Sequence, residues 1–378
     1  MTEAVLLHLI EPAEWRRALS LGAVRPPSLD AVGFVRPSPP GQVHLSAERL
    51  HPGRRDLVLL VVDPGRLTGP VRMEAGVPAG PRPGSRPEPA KGGEDGVLLY
   101  GPLPTSAVVA VVPYRPPVAP VLPAADGVLG RAIAFYSSLP VRRAVRVGDV
   151  PGGVAVPDPD FPHSRDNNRL VLTEPVDAAT ITATADEVAG NAGLPDRVAT
   201  LMWPGAAEVA ADLARLGYDI EEQLLMARPV GPLPGGERAE VVEQREVHEL
   251  WDRSWRTDLA ALGPRLDQVV PQLIGREQLN DRVVAVSDIV VREDGRVVAA
   301  GQLRVDGATA AVESVMTDPA ARGRGYADAV LARSLGLATE AGCDLVMLEA
   351  AADDWPRHWY ARRGFEVVGS TWWAHRPA

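Results

Sequence analysis

The sequence predicts a mixed α+β and α/β chain built in three blocks, a small α+β block followed by two lobes that each combine a sheet with flanking helices. Three observations predict it. Strand-like runs alternate with helical patterns through residues 124–228 and again through 237–378. Residues 1–115 carry β-rich runs of their own, at 5–10, 57–62 and 107–112. Two segments dense in Pro and Gly, residues 116–123 and 229–236, separate the blocks, and the 378-residue length accommodates two or three cores.

Within the first block, residues 75–96 hold too few apolar side chains to pack and are expected to form a mobile insertion. The middle block reads as helix (132–139), strand (152–156), a polar segment ending in Asp166-Asn167-Asn168-Arg169, and a strand from Leu170. Helix (183–192), strand (197–202), helix (206–216) and strand (218–226) follow. The last block opens with helices over 247–259 and 269–279. Strands at 283–292 and 296–305 are joined by Glu293-Asp294-Gly295, an Asp-Gly hairpin signal. A third strand, 309–316, precedes a glycine-rich turn and a helix ending near Ala341. Strand 344–348, helix 356–362 and strand 365–374 complete the block.

Composition narrows the function. A net charge of −10 gives no general attraction to nucleic acid or to an anionic membrane. No run of 18 apolar residues and no basic-then-apolar start occurs, so a cytoplasmic protein without a membrane partner is expected. The single cysteine, Cys343, precedes an apolar run and is expected to be a buried structural thiol. No cluster with metal-ligand spacing is found, so no metal is expected.

The most informative segment is Arg322-Gly323-Arg324-Gly325-Tyr326-Ala327, between the 309–316 strand and a helix with apolar residues at 327, 330, 331, 334, 335 and 338. A helix start leaves backbone N–H groups unpaired. Glycines at 323 and 325 let an anion approach them, and Arg322 and Arg324 add guanidinium donors suited to a diphosphate. The spacing Arg-x-x-Gly-x-Ala resembles the acyl-CoA signature of GCN5-related N-acetyltransferases (GNAT). The strand-and-helix order of residues 237–378 is similar to that family's. A second segment, Trp355 to Phe365, resembles its closing motif, with Tyr360 on a short helix before Gly364-Phe365.

The resemblance implies a splayed mixed sheet with flanking helices, acetyl-CoA as co-substrate and an amine as acceptor. It implies that Val315 and Thr317, on the strand before the turn, flank the pantetheine, and that residues 322–327 hold the diphosphate. Tyr360 is a phenol holding its proton at neutral pH, suited to protonate a leaving thiolate, or else a half-buried cover of the sheet. Glu313 is the candidate base, the alternative being an edge glutamate paired with an Arg; strand alternation sets Glu313, Val315 and Thr317 on one face. His248, Asp353 and Asp354 are fallback bases.

Residues 124–228 contain no Arg-x-x-Gly-x-Gly/Ala and resemble the degenerate first lobe of tandem acetyltransferases. The Asp166–Arg169 cluster fits a polar loop better than a substrate contact. Residues 4–113 resemble a bacterial domain family of uncharacterised function with a fold related to ADP-ribosyltransferases, through His8, Trp15, Ser38, Glu74 and Leu99-Tyr100-Gly101 among others. Arg36 and Leu98 stand where that family has histidines, so an inactive interaction domain is expected, with His8 a core residue. The expected function is N-acyl transfer from acetyl-CoA to a primary amine of a small molecule or peptide, by a monomer or homodimer. Three alternatives stand beside it: acyl-CoA sensing without turnover, NAD-related chemistry in the first block, and transfer dependent on aminoacyl-tRNA through the basic stretch Arg142-Arg143-Ala-Val-Arg146.

Overall fold

The structure, a computed structural model, describes residues 5–77 and 94–377. Its chain divides into two compact units: Met1–Phe135 with Val305–Thr309 and Ala341–Cys343, and Tyr136–Arg304 with Ala310–Glu340 and Asp344–Ala378.

The first unit begins with β1 (Leu6–Ile10), α1 (Pro12–Leu21), β2 (Ala23–Val24), α2 (Pro27–Val32), α3 (Val43–Leu50) and β3 (Leu57–Val62). It continues through β4 (Val71–Val77), β5 (Glu94–Leu99), β6 (Leu103–Pro104) and β7 (Val108–Tyr114). Of the expected insertion at 75–96, residues 78–93 lie outside the described residues, whereas 75–77 and 94–96 extend β4 and β5. A three-stranded sheet in the order β1-β3-β7 separates two apolar clusters. All six residues of β3 are buried, which is why that run shows no alternation in sequence.

Side-chain hydrogen bonds tie several polar groups into this core. Trp15 Nε1 donates to Asp306 Oδ1 at 2.7 Å, Arg131 Nη2 donates to Thr309 Oγ1 at 2.7 Å, and Thr309 Oγ1 donates to the Val109 carbonyl at 2.8 Å. Cys343 is a buried thiol against the Gly307 carbonyl. His8 is half-buried on β1, and desolvation takes its imidazole down to about 4, so it stays neutral at physiological pH. Trp15→Phe removes the donor to a buried carboxylate, and urea denaturation should show a loss of about 1–3 kcal/mol.

From α4 (Val128–Arg143) the chain passes to the second unit: β8 (Gly148–Val150), β9 (Gly153–Val156), β10 (Arg169–Leu172), α5 (Ala178–Ala192), β11 (Asp196–Leu201), α6 (Ala206–Arg215) and β12 (Asp219–Pro229). There follow β13 (Glu240–Val242), α7 (His248–Asp258), α8 (Leu266–Arg276), β14 (Ala285–Glu293), β15 (Arg296–Asp306) and β16 (Thr309–Thr317). The last elements are α9 (Tyr326–Glu340), β17 (Leu345–Ala351), α10 (Pro356–Ala361) and β18 (Glu366–Pro377). The expected elements appear in their expected order, and two short strands that the sequence reading lacked, β8 and β13, are added. The strand pairing adds something that order does not specify: the strands of both expected lobes join one 11-stranded sheet, in the order β13-β14-β15-β16-β17-β12-β18-β11-β10-β9-β8. Strand β12 lies between β17 and β18, antiparallel to each.

The registers sort side chains by face. Leu225 pairs with both Glu349 and Gly369, and Gln223 pairs with Thr371, so Glu349, Thr371 and Trp373 share one face. Trp373 pairs with Thr200 and Thr200 with Val171, which brings Arg169 to the same face. The opposite face, with Leu170, Leu172, Ala199, Leu201 and Ala374, is covered by α5 and α6 in an apolar cluster. One face is thus a hydrocarbon core and the other carries the charge.

Candidate active site

Strand β16 is buried through Val312 and becomes half-exposed from Glu313 onward. The change coincides with Ser314, whose φ of +52° is left-handed and breaks the strand's alternation. Glu313 faces Tyr136 and Arg304, with Tyr136 Oη donating to Oε1 at 2.9 Å and Arg304 Nη1 standing 3.9 Å from Oε2. Val315 turns to the other side, toward Gly301 and Val330. A Cβ on Gly301 would lie 3.2 Å from Val315 Cγ2 and 2.8 Å from Val330 Cγ1, so this close approach requires glycine. The expectation that Glu313 and Val315 share a face is therefore corrected, because the left-handed residue rotates the pleat between them.

After Thr317 the chain closes a short turn. Asp318 donates its N–H to the Val298 carbonyl at 2.8 Å, and its Oδ1 accepts from Ala320 N at 3.1 Å. Gly323 and Gly325 both have φ +77°, and the first backbone bond of α9 runs from Ala329 N to the Gly325 carbonyl at 3.1 Å. Among the described residues, no hydrogen bond engages the amides from Gly323 to Asp328. The two arginines of the turn are less available than their spacing suggests. Arg324 Nη1 donates to both carboxylate oxygens of Glu293, at 2.6 and 2.8 Å, and Tyr326 Oη donates to the same carboxylate at 3.0 Å. Exposed Arg322 reaches the Thr317 carbonyl, at 3.4 Å from Nε. Arg238 comes closer: its guanidinium lies 4.9 Å from the Tyr326 ring centre, and Nη1 donates to the Arg324 carbonyl at 3.4 Å. Ala327 is half-buried at the start of α9.

Tyr360 is buried on α10, edge-on to Trp359 and Phe365 with ring centres 4.7 and 5.7 Å away. Burial, followed by the charge of Glu313, pushes its phenol well above 10, against the opposing charge of Arg363. It holds its proton throughout the physiological range. Burial also raises the Glu313 carboxyl above its ordinary value of 4.5, against Arg304 and the Tyr136 hydrogen bond.

A second carboxylate, not singled out in the sequence, belongs to the same face. Glu349 on β17 accepts from Thr371 Oγ1 at 3.2 Å, and burial, followed by the like charge of Glu313, lifts its carboxyl from 4.5 to about 8. Arg169 opposes that rise; its guanidinium stacks 4.4 Å from the Trp373 ring centre and stands 3.2 Å from Asp166 Oδ1. Burial favours protonated Asp166, but the guanidinium groups of Arg143, Arg169 and Arg276 outweigh it and hold the carboxylate ionised. The Asp166–Arg169 cluster is accordingly structural. Asn167 Nδ2 donates to Asp158 Oδ2 at 2.9 Å, and Asn168 Oδ1 accepts from Asp158 N at 2.7 Å.

Two of the fallback bases have neighbours of their own. His248 stacks on Trp251, 5.8 Å between ring centres, and Trp251 stacks on Trp255. Asp354 accepts the Trp355 N–H at 2.7 Å, at the entry to α10, and Asp353 is exposed beside it. The basic stretch at 142–146 is largely consumed internally, since Arg142 donates to the Val283 carbonyl at 2.6 Å and Arg143 to Asn280 Oδ1 at 2.6 Å.

Because the carboxyl of Glu349 is raised by folding, the folded chain holds a proton that the unfolded chain releases. The stability that Glu349 contributes is therefore complete below about 4.5 and declines as pH rises through about 8. Glu349→Gln should flatten that decline in denaturation curves recorded across the interval.

Residues 9–111 match a family described as a protein of unknown function (DUF952), and residues 245–365 match the acetyltransferase (GNAT) family. The probable glucosamine 6-phosphate N-acetyltransferase 2 of Oryza sativa subsp. japonica is 34% identical over 119 residues, 30% of this chain, which spans 61% of that relative's length. Among solved structures, a GCN5-related N-acetyltransferase from Kribbella flavida aligns at 20% identity and a TM-score of 0.46, over 66% of this chain and 96% of its own. A functionally unknown conserved protein from Staphylococcus epidermidis aligns at 11% identity and a TM-score of 0.49, over 62% and 94%. The chain therefore carries a GNAT-family acetyltransferase domain on a mixed sheet, and a distinct N-terminal domain of a family without assigned function.

Proposed function

We propose that this chain is an acyl-CoA-dependent N-acyltransferase that carries the acetyl group of acetyl-CoA to a primary amine by direct transfer. The observation that carries the proposal is the set of unengaged amides from Gly323 to Asp328, opening α9 directly after the strand that bears Glu313. Such amides, at the positive end of a 15-residue helix, suit the diphosphate of a nucleotide thioester. Acetyl-CoA is a co-substrate in this scheme. Val315 and Thr317 flank its pantetheine arm, and residues 322–327 hold the diphosphate. The rice relative's name describes N-acetyl transfer to an amino sugar phosphate, an acceptor of the primary amine class.

The chemistry forms a C–N bond and breaks a C–S bond. Glu313 accepts the proton that the amine nitrogen loses, through a water, and Tyr360 delivers its phenolic proton to the departing sulfur. Bulk water then restores the phenol. The raised Glu313 carboxyl places the acid limb of kcat/KM above 4.5. Residues 124–228 serve in this reading as a degenerate first lobe, and the N-terminal domain as an inactive interaction domain. The whole acts in the cytoplasm as a monomer or homodimer.

The direct test is release of free CoA thiol from acetyl-CoA in the presence of a panel of primary amines. Tyr360→Phe should lower kcat by about 10²-fold with KM little changed, and equal turnover would remove the acid role. Gly325→Glu sets a carboxylate among the unengaged amides and should abolish CoA binding in calorimetry. Binding of acetyl-CoA with no thiol release from any amine would favour a sensing role instead.

A further inference from the structure

We propose that Tyr136, on α4 and outside the segment matching the acetyltransferase family, is the positioning residue of Glu313: its hydroxyl fixes one carboxylate oxygen and leaves the other to take the acceptor's proton. The inference rests on the reading of Glu313 as base given above. Tyr136 is buried, and its Oη donates to Glu313 Oε1 at 2.9 Å. Burial and the charge of Glu313 keep its own phenol well above 10, so it remains a donor whenever Glu313 is ionised. A carboxylate bound at one oxygen by a rigid aromatic donor has a fixed orientation, and its second oxygen is aimed rather than free to rotate.

That second oxygen is not consumed by the nearest cation. Arg304 Nη1 stands 3.9 Å from Oε2, too far for a hydrogen bond. Arg304 is turned instead to Glu277 Oε2 at 2.8 Å and Gln302 Oε1 at 2.9 Å, both through Nη2. Glu277 in turn accepts from Asn280 Nδ2 at 3.0 Å, and Gln302 Nε2 donates to Asp288 Oδ1 at 2.8 Å. The arginine is thereby immobilised, and the shortest bond to Glu313 comes from the tyrosine. The charged and titratable groups acting on Glu313 are Arg304 on β15, Tyr136 on α4, Asp166 before β10 and Glu277 after α8. Glu349 on β17 and Tyr360 on α10 feel the charge of Glu313 in return. Among these, Tyr136 and Arg304 favour the ionised form of Glu313, while Asp166 and Glu277 disfavour it.

Removing the Tyr136 hydroxyl should therefore raise the Glu313 carboxyl and loosen it. The test follows carboxyl ¹³C signals of the full chain labelled at glutamate, titrated with acid, in wild type, Tyr136→Phe and Glu313→Gln; the signal missing from Glu313→Gln identifies Glu313. The expected result is a rise of the Glu313 midpoint by about one pH unit in Tyr136→Phe, with thermal unfolding still cooperative. In thiol release, the acid limb of kcat/KM should move up by the same amount and kcat should fall by about tenfold. An unchanged Glu313 midpoint in folded Tyr136→Phe overturns the proposal. Full turnover in Glu313→Gln, alongside a shifted midpoint in Tyr136→Phe, would keep the contact but remove Glu313 from the base role. The failure of that role is thus separable from the failure of the tyrosine.

Discussion

The left-handed backbone of Ser314 is the constraint on which the site depends. A regular strand would direct Glu313 and Val315 to the same side, placing either the carboxylate in the hydrocarbon under α9 or the valine among the charges. One residue at positive φ separates them. Glu313 joins the polar face with Tyr136 and Arg304, and Val315 fills the narrow space above Gly301. The strain is on the order of 1–2 kcal/mol for a serine, less than for a β-branched residue. It is offset by the packing of Val315 against Gly301 and Val330, and by the hydrogen bond that holds Glu313 on the other side.

The charged face is a network in which each buried ion is answered. Asp166 is met by Arg143 and Arg169, Glu277 by Arg304 and Arg276, and Asp288 by Gln302. Buried ions contribute little net stability, because desolvation consumes most of the attraction; they do impose a single arrangement on the groups around them. Burial raises the proton affinity of Asp288 within this network, and of Glu313 and Glu349 at its margin. Glu313 and Glu349 repel one another across neighbouring strands, so the proton that one binds favours ionisation of the other.

Much of this was legible in the sequence where backbone chemistry is local. Asp294-Gly295 marks a hairpin because a type of turn demands it, and Gly323 and Gly325 mark the opening of α9 because only glycine takes φ +77° without strain. Cys343 is buried as its apolar neighbours imply. Other features escaped for equally physical reasons. Ser314 carries no turn signal, so its conformation is imposed by packing on both sides of the strand. Glu349 lies in Leu348-Glu349-Ala350, whose neighbours say nothing of the Thr371 hydroxyl two strands away. Strand β12 sits between β17 and β18 through pairings more than a hundred residues apart, which no local pattern encodes. Arg238 stands just past the Pro/Gly segment 229–236, where its sequence neighbours say nothing of the turn it reaches, and the spacing of Arg324 says nothing of its ion pair with Glu293.

The claim at the centre is that bare amides at the start of α9 hold the diphosphate of a nucleotide thioester. Following the backbone amide resonances of the ¹⁵N-labelled chain during titration with CoA addresses it most directly. The account predicts saturable shifts that are largest at Gly323, Gly325, Tyr326 and Ala327, with Val315 moving at the same ligand concentration. Saturable binding that leaves those amides unmoved and perturbs another part of the chain would contradict it.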